Sequence, residues 1–173
     1  MDGAPIEEQV FVAMGSNLGD RDAHLAAGLA RLRATKGIEV VAVSPLYETE
    51  PVGPAPQGLY LNGAIQLATT LHPKALLDRL LEIEIAEGRN RGVDRNAPRT
   101  LDLDLLLYGG RKLAGPDLEI PHPRLAERPF VLEPLCDLAA EFVHPVLGET
   151  IAVLARRVRD PAAVRRRNSS IRL

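Results

Sequence analysis

An α+β fold with the element order βαββαβ and a helical extension at the C-terminal end is what this chain predicts. Three features lead there: short apolar stretches with strand-like alternation, leucine stripes at helical spacing between them, and glycine or proline punctuation at each junction. The first strand is "QVFVAMGSN", ending at Gly15, Ser16 and Asn17. Asp20 then offers an N-cap to a helix whose core stripe is Leu25, Leu29 and Leu32. "IEVVAVSPLYETEP" reads as a second strand frayed at its end by Pro45 and Pro51. After the loop "PVGPAPQG", "LYLNGAIQLATT" is the third strand.

A second helix starts at Pro73, suited to a first helical position, and stops at Gly88. Its expected stripe is Leu77, Leu80 and Leu81, continuing to Glu84. A carboxylate there, near the negative end of the helix dipole, calls for a cation or a polar ligand. Beyond the loop "GRNRGVDRNAPR" comes the last strand of the unit, "RTLDLDLLLYG". The order matches the ferredoxin-like split βαβ arrangement, an antiparallel sheet with helices packed on it. "DLEIPHPRLAERPFVLEPLCDLAAEF" and "ETIAVLARRV" predict two further helices, and the end of the chain, from about residue 161 to 173, reads as a solvated basic tail.

At 173 residues the chain is expected to be a single domain spanning 1–173. A net charge of −2 gives no global attraction to nucleic acid or anionic membrane, so charge must act locally. Aromatics make up 3 % of residues, with no Trp, too few for a platform that stacks several bases. The lone Cys136 and the acidic, non-apolar start of the chain point to a reducing compartment, the cytoplasm, and to no membrane span.

Chemistry concentrates in "RTLDLDLLLYG". Alternation puts Asp102 and Asp104 on one face of the strand and Leu101, Leu103 and Leu105 on the other, with Leu106 extending the aspartate face. Two part-buried like charges roughly 7 Å apart cost several kcal/mol unless arginines pair with them or a hard divalent cation binds them. The preceding loop supplies Arg89, Arg91, Arg95 and Arg99, planar cations suited to phosphate oxygens. "IPHPRLAERPF" adds His122, Arg124 and Arg128 on a proline-stiffened arm. Cations for phosphate and carboxylates for Mg²⁺ converge at one strand's start, which describes a polyphosphate site without a P-loop. "YLNGA" places Tyr60 and Asn62 on one strand face, where an amide can pair with a heterocycle edge.

The blocks "AMGSNLGD", "SPLYETEPVG", "YLNGAIQL", "GRNRGVDRNAPRTLDLDLLLYG" and "IPHPRLAERPFVLEPL" resemble, in order and spacing, the 6-hydroxymethyl-7,8-dihydropterin pyrophosphokinase family of folate biosynthesis, over about residues 10 to 148. The resemblance implies ATP and 6-hydroxymethyl-7,8-dihydropterin as substrates and two Mg²⁺ ions held by Asp102 and Asp104. It places Arg89 and Arg99 with the two aspartates in the catalytic group. Glu84, Arg91, Arg99, His122 and Arg128 fall on its ATP positions. Asn17, Thr49, Val52, Tyr60, Asn62 and Phe130 fall on its pterin pocket. Asn96 stands where some members carry a loop-closing Trp, and Leu81 where some have a polar nucleotide contact. The expected partners are these small molecules alone, with neither nucleic acid nor membrane, and a monomer is assumed.

Two rival readings have a basis in sequence. Gly15-Ser16 followed by the acidic pairs Asp20/Asp22 and Asp102/Asp104 is loosely similar to nucleotidyltransferases. A ferredoxin-like RNA-binding module would need sheet aromatics and a basic surface that the chain lacks.

Overall fold

The computed structural model describes residues 8–52, 57–89 and 97–168. Arg91, Arg95 and Asn96 lie outside the described residues. The elements are β1 (Glu8–Ser16), α1 (Arg21–Ala34), β2 (Ile38–Val43), β3 (Tyr47–Thr49), β4 (Tyr60–Thr69), α2 (Pro73–Ala86), β5 (Asp102–Tyr108), β6 (Leu113–Ala114), β7 (Glu119–Ile120), α3 (Pro129–Ala139), α4 (Ile151–Val158) and β8 (Val164–Arg166). The main sheet is antiparallel throughout and runs β5-β1-β4, with β2 and β3 both along the far edge of β4 and β8 outside β3. The α+β class and the antiparallel sheet expected from the sequence are therefore present.

The expected second strand is two strands. Pro45 has no N–H to give to a ladder, so pairing is interrupted there. Ser44 keeps the junction satisfied. Its N–H donates to the Ala64 carbonyl at 2.9 Å, and its Oγ accepts from the Ala64 N–H at 2.8 Å, standing in for a backbone acceptor. β3, beyond the break, carries Tyr47 and Thr49.

Helices cover both faces of the sheet. On one face, Leu25, Leu29 and Leu32 of α1 and Leu76, Leu80 and Ile83 of α2 pack on Val12, Met14, Leu103 and Leu105. On the other, Val131, Leu132 and Leu135 of α3 and Ile151 and Leu154 of α4 pack on Phe11, Ala64 and Leu106. Each such side chain contributes about 1.5–3 kcal/mol when fully buried, and the two clusters hold the sheet from both sides. The α2 stripe is shifted from the expected one: Leu76 and Ile83 are buried, while Leu77 and Leu81 are only partly so. Asp20 caps α1 as expected, accepting from the Ala23 N–H at 3.0 Å.

β5 alternates as its sequence demands until Leu106. There Phe11 pairs with Leu107 and Val12 with Leu105, a bulge that sends both Leu106 and Leu107 into the α3-side cluster. Gly28 on α1 makes room for Leu101 at the strand's entrance: a Cβ at that position would lie 2.9 Å from the Leu101 side chain.

Three strands were not expected. β6 and β7 form a small hairpin. The basic end of the chain is also not simply a solvated tail, because β8 pairs with β3 and the N–H of Arg167 donates to the Leu46 carbonyl at 2.8 Å. Its arginines lean on acids of other elements, Arg167 on Asp22 at 3.1 Å and Arg166 on Asp137 at 3.9 Å. Among the described residues, no helix is long and apolar enough to cross a membrane.

Candidate active site

Strand register assembles the site. Gly15 of β1 pairs with Asp102 on one side and Asn62 on the other, and Asn62 in turn pairs with Tyr47. One step along, Ala13 sits between Asp104 and Ala64. Paired residues of antiparallel strands share a face. β1 thus contributes two small residues to a trough with carboxylates on one bank and an amide on the other. The gap needs Gly15, because a Cβ there would stand 2.6 Å from Asn62 Oδ1.

On the acidic bank, Asp102 is held by two arginines. Arg89 Nη1 donates to Oδ1 at 2.8 Å and Arg99 Nη1 to Oδ2 at 3.0 Å. Asp104 is different: among the described residues no hydrogen bond or ion pair reaches its carboxylate. Burial, with the added repulsion of Asp102 and Glu84, pushes its pKa up to about 7 against the attraction of Arg128 and Arg89. An underneutralised carboxylate beside a paired one is a place where a hard cation lowers the energy. Among the described residues no group of three His, Cys, Asp or Glu side chains gathers as a metal cage. The pair suits an ion that takes one or two carboxylates and completes its shell with water or phosphate.

Glu84 lies behind this bank with its residue 1 % exposed. Its Oε1 accepts from the Leu103 N–H at 2.7 Å and meets Arg89 Nη1 at 2.5 Å. β5 is an edge strand, so the Leu103 N–H would otherwise lack an acceptor from the sheet. The odd carboxylate on the α2 stripe thus fastens that helix to the acidic strand and steers Arg89 toward Asp102.

On the opposite bank, Asn62 Nδ2 donates to Thr49 Oγ1 at 2.6 Å. Thr49 is buried, and Tyr60 shares the Asn62 face two residues earlier. Burial raises the Tyr60 phenol pKa against the pull of Arg99. Phe130, on the first turn of α3, closes the top: with Val131 it joins Ala13, Gly15, Asn62, Asp102 and Asp104 around a cavity of about 30 Å³. The Arg128 guanidinium lies 5.7 Å from the Phe130 ring centroid.

Asn17 joins the two banks. Its Oδ1 accepts from the Arg99 N–H at 2.8 Å, its own N–H donates to the Arg99 carbonyl at 3.0 Å, and its Nδ2 donates to Gln57 Oε1 at 3.2 Å. The loop ahead of Asp102 and the loop ahead of Tyr60 are pinned to one amide. Val52 is not gathered with the rest and stands 67 % exposed.

His122 and Arg128 approach from the segment before α3. The His122 N–H donates to the Leu106 carbonyl at 2.9 Å, and its Nδ1 accepts from the Arg124 N–H at 3.1 Å. An accepting Nδ1 leaves the proton on Nε2. Burial, reinforced by Arg128 and Arg124, lowers its pKa, so the ring is a neutral donor. Arg128 is also shifted down, by burial and then Arg124, against Asp104 and Asp102.

Sequence reasoning passed over Gly15 and Ala13, which clear the trough, and Gln57, which completes the Asn17 link. Only the "GS" after an alternating strand hinted at the first. Asp20 and Asp22, the other acidic pair, take no part: one caps α1 and the other pairs with Arg167.

Comparison with known proteins matches this arrangement to one family. Residues 11–140 match the model for 7,8-dihydro-6-hydroxymethylpterin-pyrophosphokinase. The chain is 45 % identical over 138 residues to the 2-amino-4-hydroxy-6-hydroxymethyldihydropteridine pyrophosphokinase of Pseudomonas aeruginosa, covering 80 % of this chain and 85 % of that one. It is 40 % identical over 158 residues to the Methylorubrum extorquens protein of the same name, covering 91 % and 98 %. It is also 39 % identical over 153 residues, 88 % of this chain, to the folic acid synthesis protein fol1 of Pneumocystis carinii, but spans only 20 % of that protein. Among solved structures, a Plasmodium falciparum HPPK-DHPS shares the fold at a TM-score of 0.73 and 14 % identity, over 95 % of this chain and 50 % of that one. The chain belongs to the 7,8-dihydro-6-hydroxymethylpterin-pyrophosphokinase family.

Proposed function

We propose that the protein transfers pyrophosphate from ATP to the hydroxymethyl group of 6-hydroxymethyl-7,8-dihydropterin, releasing AMP, in folate biosynthesis. The single observation that carries this reading is the trough itself. A carboxylate pair flanked by arginines faces, across Gly15, an amide held by Thr49. In the reaction the substrate hydroxyl oxygen bonds to the β-phosphorus, the bond between the α,β-bridging oxygen and that phosphorus breaks, AMP leaves, and the hydroxyl proton is released.

Asp102 and Asp104 would hold Mg²⁺, two ions in the fuller form of the proposal. The fit rests on Asp104, a part-buried carboxylate whose charge the described residues leave under-compensated. When bound, Mg²⁺ neutralises phosphate charge and aligns the triphosphate. The chain's own groups do the rest. Arg89 and Arg99 flank the acidic pair and would share their positive charge with phosphate oxygens, and Arg91, outside the described residues, is assigned the same role. Neutral His122 would donate from Nε2, while Arg128 adds charge beside Phe130. Asn62 reads the heterocycle edge, Tyr60 and Phe130 supply aromatic surface, and Asn17 keeps the two banks in register. Glu84 acts on ATP through Arg89. No side chain is assigned as a general base; positioning and charge account for the rate.

The strand order, with β2 and β3 counted as one broken strand, supports the ferredoxin-like βαββαβ description, with α3, α4 and β8 as the C-terminal extension. We read the whole as one domain acting as a monomer in the cytoplasm on small molecules alone. Separation of nucleotide products after incubation with Mg²⁺, ATP and the dihydropterin tests the function. Pterin-dependent AMP with no free pyrophosphate is expected. ADP or free pyrophosphate would replace this reading with simple phosphorylation or nucleotidyl transfer.

A further inference from the structure

Tyr47 is 6 % exposed, lies opposite Asn62 in the ladder, and points its ring at α3. Its hydroxyl donates to Asp137 Oδ2 at 2.6 Å. Burial, followed by this bond and the Asp137 charge, raises the phenol pKa, so the hydroxyl keeps its proton. Asp137 also faces Arg166 of β8, paired with Tyr47 in the ladder, at 3.9 Å. One carboxylate therefore joins β3, α3 and β8.

Asp137 and Phe130 are seven residues apart on α3, so they lie on nearly the same side of the helix. The two ends of α3 are held differently. The later turn is fastened to β3 through Asp137. At the first turn, Pro134 has no N–H to give to the Phe130 carbonyl, and no side-chain bond to the sheet is made there among the described residues. The cavity beneath Phe130, about 30 Å³, is narrow and opens toward solvent, so the Phe130 ring lies at the edge of the space a bicyclic heterocycle would enter. The anchored later turn fixes where the Phe130 ring stands over the trough.

Resting on the proposed pterin-binding role of the trough, we propose that Tyr47 and Asp137 are positioning residues for the heterocycle. Their hydrogen bond sets the height of α3 over the sheet, and with it the spacing between Phe130 and Asn62. Neither residue touches the substrate. Tyr47 also precedes Thr49 by two residues on the same strand face, so the bond steadies the hydroxyl that orients the Asn62 amide.

The test compares Tyr47→Phe, Asp137→Ala and Asp137→Asn with the unaltered full chain. Titrations use 6-hydroxymethyl-7,8-dihydropterin and, separately, Mg²⁺ with an ATP analogue bearing a methylene between the α and β phosphorus atoms. Tyr47→Phe and Asp137→Ala are expected to raise the pterin Kd and KM roughly five- to tenfold, with kcat and analogue affinity unchanged. Asp137→Asn, which keeps an acceptor for the hydroxyl, should retain near-normal pterin affinity. Unchanged pterin affinity in Tyr47→Phe, or equal losses for both ligands, would overturn the positioning role. Failure of the unaltered chain to bind the dihydropterin would instead overturn the functional reading beneath it.

Discussion

Thr49 Oγ1 accepts from Asn62 Nδ2 at 2.6 Å, while Asn62 Oδ1 occupies the space over Gly15 that a β-carbon would fill. An amide held in this way offers a fixed donor and acceptor edge to the trough. Asn62→Ala is expected to weaken dihydropterin binding by about 1–3 kcal/mol, the cost of leaving a polar edge unpaired, with little change in ATP-analogue affinity. Gly15→Ala should weaken the same step by pushing the amide aside. Titration of both variants checks this, and undiminished pterin affinity would remove Asn62 from the recognition surface.

Asp104→Asn should abolish turnover while leaving pterin binding intact. Removing a part-buried, under-compensated charge should also keep the metal-free protein at least as resistant to heat as the parent. Thermal unfolding in chelator, set beside a turnover assay, tests both halves, and near-normal turnover would refute the metal assignment.

Glu84 yields the opposite expectation. Glu84→Ala leaves the Leu103 N–H without its buried acceptor and Arg89 with Asp102, and should destabilise the fold by about 1–3 kcal/mol. Glu84→Gln keeps an acceptor and should lose less. Denaturant unfolding would expose the error if Glu84→Ala were as stable as the parent.

The buried His144 imidazole accepts at Nδ1 from the Val146 and Leu147 N–H groups at 3.2 and 3.1 Å. Burial lowers its pKa below the usual 6.5. The unfolded chain therefore binds this proton more readily. The resulting stability is complete above about pH 6.5 and is lost as pH falls through the lower folded value. Melting temperature should drop on acidification in the parent and fall less steeply in His144→Asn; parallel profiles would contradict this.

Much of the site could be read in the chain because two strand positions carry so much of it. Period-two alternation alone put Asp102 and Asp104 on one face and Tyr60 and Asn62 on another, and the register of β1 then joined them. Less legible features depend on contacts distant in sequence. β8 is three residues long and two of them are arginines, so nothing local separates it from a solvated end; its acids come from elsewhere in the fold. The α2 stripe lies one phase from the expected one because Leu76, Leu77, Leu80 and Leu81 satisfy two adjacent helical phases, and packing into the shared core chooses between them. The link between Asn17 and Arg99 spans 82 residues and has no signature in either segment.

In the proposed reaction one trough holds phosphate at its carboxylate bank and the heterocycle at its amide bank. Crossed titration separates the two banks: Asp104→Asn and Asn62→Ala, each against dihydropterin and against Mg²⁺ with the α,β-methylene ATP analogue. Asp104→Asn is expected to lose Mg²⁺-dependent analogue binding and keep pterin binding, and Asn62→Ala to do the reverse. Equal loss of both ligands in either variant, or loss of neither, would contradict this division.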